Sequence, residues 1–217
     1  MIDVIIADAF GLLIDSPAYT KKNFYEFVKD KIDMGKEELI ATYKQFRYRS
    51  YTDPDYHYED AMTELFDHLQ LEGCEEFIAW NHELNRQTRV MPGAIEMLQA
   101  LQADGKDVYV VTDYSLPLER AEETFRKVGI FPHISGIVSS KEVGHMKPSQ
   151  EIFDYVFETY GIERENCAFI GHSYDEIAGA HYLGITTFAC FYEDEEDIGF
   201  LPDTHQLETL DQLADRV

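Results

Sequence analysis

Apolar residues along this chain fall into two kinds of run. Short stretches at 3–9, 107–112, 134–139, 167–171 and 186–192 have the length and apolar character of buried strands, and stretches with helical spacing separate them. Strands alternating with helices predict an α/β fold, a Rossmann-like parallel sheet of about five strands with helices on both faces. The first run, Val4-Ile5-Ile6-Ala7, ends on Asp8 and continues as Ala9-Phe10-Gly11-Leu12-Leu13. A carboxylate at the end of an apolar strand is delivered to the carboxyl edge of the sheet, where open α/β folds bind ligands.

The interval between the first and second strands breaks the alternation. Residues 17–90 hold no strand pattern and read as four helices, near 19–32, 35–50, 57–70 and 74–88. Gly35, Gly73 and the turn Thr52-Asp53-Pro54-Asp55 punctuate them. Leu39, Tyr43 and Phe46 share one helical stripe, with Ile40 beside it. The block is expected to be a helical insertion (17–90) on a core of 1–16 and 91–217. Its many Tyr and Phe residues are explained mainly by packing within a bundle. Met91-Pro92-Gly93-Ala94 reads as the turn that opens the next core helix.

Composition narrows the partners. With 42 acidic and 18 basic residues, the formal net charge is −24. Such a surface repels nucleic acid and anionic membranes, so neither is an expected partner. An anionic substrate needs local cations to offset the field. No apolar run reaches the ~18 residues of a membrane span. The first ten residues lack the Lys or Arg of a secretory leader, and Cys74, Cys167 and Cys190 suit a reducing compartment, so a cytoplasmic chain is expected. Monomer and homodimer both stay open.

Four segments carry polar residues at predicted strand or helix ends: DAFGLLIDS (8–16), VVTDYS (110–115), KPSQEIF (147–153) and IGHSYDEIAGA (170–180). In a parallel sheet these ends converge on one edge. That brings the Asp8 carboxylate, the Thr112 hydroxyl and the Lys147 ammonium together. A carboxylate can attack an electrophile to form an acyl-type intermediate. A neighbouring ammonium offsets charge on the transferred group, and a hydroxyl can hydrogen-bond it. Asp15 and Ser16 read as turn and cap residues.

In these four segments, in this order, the chain resembles the haloacid dehalogenase superfamily over its whole length. The helical block lies where members with a four-helix cap insert it. The resemblance implies that Asp8 is a nucleophile, that Thr112 and Lys147 bind the transferred group, and that Phe10 (through its carbonyl), His172 and Glu176 surround a Mg²⁺ or other divalent ion beside Asp8. It also implies a small phosphorylated or halogenated substrate. The pattern departs from the family's phosphatases at several points. Phe10 replaces the acid that protonates the leaving group, Leu12 replaces a Thr, and His172 replaces a metal-binding Asp. Leaving-group protonation contributes ~10²–10⁴-fold, and imidazole suits Mg²⁺ less well than carboxylate does. Ordinary phosphomonoester hydrolysis is therefore expected to suffer.

The family's 2-haloacid dehalogenases tolerate an aromatic where Phe10 stands, because halide leaves without a proton and no metal is needed. They hold substrate with a cap Arg, whose place here is Thr42; Arg47 and Arg49 lie nearby and are substrate-binding candidates, though a solvated helix face explains them equally well. They also carry Asn and Ser where this chain has Asp113 and His172, and a carboxylate at 113 would repel a carboxylate substrate. Two readings of His172 follow: a ligand beside Asp8 and Glu176 for a metal such as Mn²⁺ or Zn²⁺, or a ring that hydrogen-bonds Asp8 and fills the metal position. The second is preferred, since one imidazole among carboxylates does not define a transition-metal site. Two functions remain: an Asp8 hydrolase with a degenerate metal site, and an inactive descendant that binds a ligand or partner.

Overall fold

A computed structural model of the chain describes residues 2–192 and 196–217. Its main sheet joins β1 (Val4–Ala7), β4 (Asp107–Thr112), β5 (Gly136–Ser139), β6 (Cys167–Gly171), β7 (Thr186–Cys190) and β8 (Gln206–Leu207), all parallel, in the order β5-β4-β1-β6-β7-β8. The fold is α/β, as expected, with six strands in place of about five. The added strand, β8, is two residues long and too short to show a period.

Side-chain alternation along β1 builds the two layers. Ile5 and Ala7 face one cluster, which includes Leu98 and Leu101 of α5 (Ala94–Ala103) and Phe125 of α6 (Leu118–Val128). Ile6 faces the other, with Phe153 and Val156 of α8 (Gln150–Tyr160) and Ala180 of α9 (Tyr174–Tyr182). Ile5, Ile6 and Ala7 are fully buried, as a central parallel strand requires.

The 17–90 interval folds as α1 (Lys21–Val28), α2 (Lys36–Thr52), α3 (Tyr58–His68) and α4 (Cys74–Asn85). Gly35, Gly73 and Gly93 stand at the N-caps of α2, α4 and α5. The aromatic side chains pack mainly on each other: Phe24 stacks on Tyr43 at 5.1 Å and meets Phe66 and Phe77 edge-on. The interval is not strand-free. Arg89–Val90 forms β3, which pairs antiparallel with β2 (Ile14–Asp15). This two-residue ribbon carries the chain out to the helices and back.

Of the predicted turn and cap roles, Ser16 keeps the turn, its Oγ accepting from the Ala18 amide at 3.4 Å, but neither Asp15 nor Ser16 caps the helix. Asp15 lies in β2 and pairs with Arg89 at 2.8 Å, while Ser16 receives a bond from Thr88. Thr20 caps α1 instead, accepting from the Asn23 amide.

A short helix after β5, α7 (Ser140–Val143), fastens the end of α2 to the core. The buried Lys141 ammonium donates to the carbonyls of Ser50 (3.1 Å), Asp53 (2.9 Å) and Tyr56 (2.7 Å), and Ser140 Oγ donates to Tyr51 O. Nothing in the sequence pattern marks Lys141, because its partners are backbone oxygens some 85–91 residues away.

Candidate active site

The chain passes from β1 to β4 and β5 on one side, then returns to β6 and β7 on the other. The sheet order therefore reverses about β1, and the loops after β1, β4 and β6 open a crevice there. Asp8 follows β1 and is anchored by its amide, which donates to Ile170 O at 3.1 Å. The residue is 4% exposed.

Lys147 reaches Asp8 from the loop before α8. Its Nζ donates to Asp8 Oδ1 at 2.7 Å and to Val111 O at 2.9 Å, and lies 3.5 Å from Asp113 Oδ2. The Asp113 carboxylate also accepts from the Lys147 amide, so residues 113 and 147 brace one another. Thr112 ends β4, and its buried hydroxyl has no hydrogen-bond partner.

His172 follows β6. Its Nδ1 lies 3.3 Å from Asp8 Oδ2 and 3.5 Å from Glu176 Oε1. Glu176 Oε1 accepts from Ser173 Oγ at 2.7 Å. The imidazole rests against Gly11, whose backbone has φ +93° and where a Cβ would collide with the ring. The expected approach of His172 to Asp8 is present, but without the alignment of a hydrogen bond: Asp8 Oδ2 and His172 Nδ1 are both buried and unpartnered, as is Glu176 Oε2.

The electrostatics follow from this packing. Burial alone raises the Asp8 carboxyl, but Lys147 and then His172 overcome it and hold the group below its usual value. Burial opposes the Lys147 ammonium, yet Asp113, Asp8 and Glu176 keep its pKa above the ordinary lysine value. Burial also lowers His172, and the adjoining Asp8 and Glu176 carboxylates reverse that to a net rise. Glu176 is pushed up to about 7, by burial first and by Asp8 second. Burial raises Asp113 as well, against the pull of Lys147.

Phe10 stacks on Tyr114 with centroids 5.4 Å apart and planes 9° from parallel. Both rings line a cavity of about 270 Å³ that Tyr19, Arg47 and Tyr51 also line. A second cavity of about 390 Å³ shares Tyr19, Arg47, Tyr51 and Asp113 with it.

Arg47 is not the solvated charge that a helix face allows. It is 3% exposed and lies on the buried stripe of α2 with Leu39 and Tyr43. Its guanidinium donates to Tyr43 OH (2.6 Å), Tyr51 OH (2.7 Å), Ser115 Oγ (3.0 Å) and Tyr19 O (3.2 Å). It also lies over the rings of Tyr43, Tyr51 and Tyr58, and its buried Nε has no partner. No carboxylate is among these neighbours. Arg49 does not join the site: it pairs with Asp53 at 2.9 Å on the exposed side.

Sequence reasoning missed Tyr19, whose backbone adopts φ +58° just ahead of α1. Its amide is held by the buried Asn81 side chain at 2.8 Å and its carbonyl by Arg47 and Tyr43. The one available signal was the density of tyrosines near the insertion.

Comparison with known proteins places the chain. Residues 2–184 match the haloacid dehalogenase-like hydrolases. The chain belongs to that family. A glyceraldehyde 3-phosphate phosphatase of Methanocaldococcus jannaschii is 31% identical over 133 residues, 59% of this chain and 57% of that protein. A 5'-nucleotidase of Pseudomonas aeruginosa is 29% identical over 141 residues, 58% of this chain and 63% of that protein. The match thus spans less than two thirds of these curated relatives.

Among solved structures, a dehalogenase superposes with a TM-score of 0.71 at 18% identity, covering 100% of this chain and 97% of that one. The L-2-haloacid dehalogenase of Xanthobacter autotrophicus gives 0.68 at 14%, covering 99% and 98%. At that identity the likeness shows the shared fold.

Family membership raises the question of a metal. One donor atom each from Asp8, His172 and Glu176 lies within 4.8 Å of the others, and three buried polar atoms of this trio lack partners. The donors therefore fit a divalent cation, with an imidazole nitrogen beside two carboxylates. Among the described residues, no helix is long and apolar enough to cross a membrane.

Proposed function

We propose that the chain is a hydrolase whose Asp8 carboxylate attacks a small phosphorylated or halogenated molecule held under a helical cap formed by residues 17–90. The observation that carries this reading is the Asp8–Lys147 pair. Oδ2 faces His172 at 3.3 Å, and Lys147 positions Oδ1, at 2.7 Å, as the attacking oxygen. The lowered pKa keeps that oxygen ionised and nucleophilic.

In the first step Asp8 Oδ1 bonds to the electrophilic phosphorus or carbon, and the bond to the leaving group breaks with its electron pair. In the second, water cleaves the acyl phosphate or ester and returns Asp8 as a carboxylate. The Thr112 hydroxyl, which lacks a partner, donates to the transferred group, and Lys147 offsets its charge. A divalent cation held by Asp8, His172 and Glu176 would supply further positive charge there.

Phe10 donates no proton. The leaving group therefore departs as a stable anion, and substrates such as halides or acidic alcohols suit the site better than simple alkoxides. Arg47 and Asp113 border the cavity, with Arg47 facing the anionic end of the substrate and offsetting the chain's negative field.

The test is a panel of phosphomonoesters with Mg²⁺, Mn²⁺, Co²⁺ or Zn²⁺, and 2-chloropropionate without metal, with Asp8→Asn as the blank. Turnover by the wild type that the blank lacks is the expected result. Wild-type rates equal to the blank across the panel count for the second reading, a binding protein, which the loss of the acid at Phe10 favours.

A further inference from the structure

We propose that Asp8, His172 and Glu176 form a site that takes Zn²⁺ in preference to Mg²⁺. The inference concerns binding alone, so it stands apart from whether the chain turns over any substrate.

Three observations carry it. First, one of the three donors is an imidazole, which suits zinc, whereas Mg²⁺ favours an all-oxygen shell.

Second, two of the three donor separations have the length of a tetrahedral edge. His172 Nδ1 lies 3.3 Å from Asp8 Oδ2 and 3.5 Å from Glu176 Oε1. Zinc bonds of about 2.0–2.2 Å in a tetrahedron set donors about 3.3–3.6 Å apart. Magnesium bonds of about 2.0–2.1 Å in an octahedron set adjacent donors only about 2.8–3.0 Å apart.

Third, each of the three residues buries a polar atom that nothing satisfies. Asp8 and Glu176 are 4% and 8% exposed, and Asp8 Oδ2, His172 Nδ1 and Glu176 Oε2 are buried without hydrogen-bond partners. Unpaired buried polar atoms are costly, and a shared cation satisfies all three residues together.

The surroundings fix the donors in place. Lys147 engages Asp8 through Oδ1, which leaves Oδ2 free. The His172 ring lies over Gly11, and a side chain at position 11 would meet its Nε2 first, so Nε2 faces the backbone and Nδ1 faces the carboxylates. Ser173 Oγ donates to Glu176 Oε1 at 2.7 Å and orients that carboxylate, as outer partners of metal ligands do.

The experiment strips the 217-residue chain with a chelator and titrates it by calorimetry with Zn²⁺ and, separately, Mg²⁺. It also records the visible spectrum with Co²⁺, whose tetrahedral complexes absorb far more strongly than octahedral ones. The expected result is one equivalent of Zn²⁺ bound roughly tenfold or more tightly than Mg²⁺, with an intense Co²⁺ spectrum. In His172→Asp the Zn²⁺ affinity falls roughly tenfold or more and the Mg²⁺ affinity rises. Should that variant not fold, His172→Gln gives the same loss of Zn²⁺ and of the Co²⁺ band. Wild-type Mg²⁺ affinity equal to or above that for Zn²⁺, or a weak octahedral Co²⁺ spectrum, overturns the proposal. So does Zn²⁺ binding that is unchanged in both a His172 variant and Glu176→Gln, since the ion then sits elsewhere on the acidic surface.

Discussion

Gly11→Ala tests the placement of His172 against the loop after β1. Two costs add at this position. Gly11 has φ +93°, a region where an L side chain costs roughly 1–2 kcal/mol. The new methyl would also come within 2.8 Å of His172 Cδ2 and 2.9 Å of Cε1, and closer still to Nε2. The ring cannot retreat freely, because Asp8 and Glu176 lie on its other side; forcing a group into such a packed position costs roughly 1–3 kcal/mol. The sum is about 2–5 kcal/mol.

Gly161→Ala separates the two costs: φ there is +66°, and no heavy atom lies within 4 Å of the added Cβ. It should lose only the backbone part, about 1–2 kcal/mol. Urea denaturation followed by circular dichroism measures both variants, with the slope of the transition unchanged. Gly11→Ala should exceed Gly161→Ala by at least about 1 kcal/mol. Equal losses would refute the reasoning, because His172 would then not be resting on Gly11.

Three further substitutions probe separate features. Thr112→Val replaces a buried hydroxyl that has no partner, so thermal denaturation should show the variant equal to or up to about 1 kcal/mol more stable than wild type, while kcat/KM falls; a stability loss above that size would mean the hydroxyl is serving the fold. Phe10→Asp supplies the missing proton donor and should raise turnover of alkyl phosphates by ~10²-fold while leaving p-nitrophenyl phosphate little changed; equal effects on both would show that protonation is not the deficit. Lys141→Met removes the three ammonium bonds that tie α7 to the end of α2, and after relief of the desolvation cost should destabilise by about 2–4 kcal/mol, with faster amide exchange at residues 53–56; wild-type exchange there would show the tie to be idle.

The core and the convergence of Asp8, Thr112, Lys147 and His172 were legible because apolar strands carry their own signal. A parallel sheet then brings strand ends together without further information. The four helices were legible in place, with ends shifted by a few residues: the run at 19–32, for example, is helical only over Lys21–Val28. The ribbon of β2 and β3 was not, since two residues show no alternation.

Charged residues gave the least warning. Arg47 and Arg49 are two residues apart on one helix, yet one is buried and the other exposed, and the difference lies in partners 28 and 68 residues from Arg47. Lys141 is hidden for the same reason, because backbone carbonyls leave no trace in a sequence. The hydrophobic stripe of Leu39 and Tyr43 does extend one turn to Arg47, and that continuation was the available hint.

The central claim is that Asp8 forms a covalent bond to the substrate. Once the panel identifies a substrate, the reaction is quenched during turnover, reduced with borohydride and digested for mass spectrometry. An acyl phosphate at Asp8 is reduced to homoserine, while an alkyl ester survives as the added mass of the substrate's carbon skeleton, so the account predicts one or the other at position 8 in the wild type and neither in Asp8→Asn. Turnover with an unmodified Asp8 peptide, or full activity in Asp8→Asn, would contradict it.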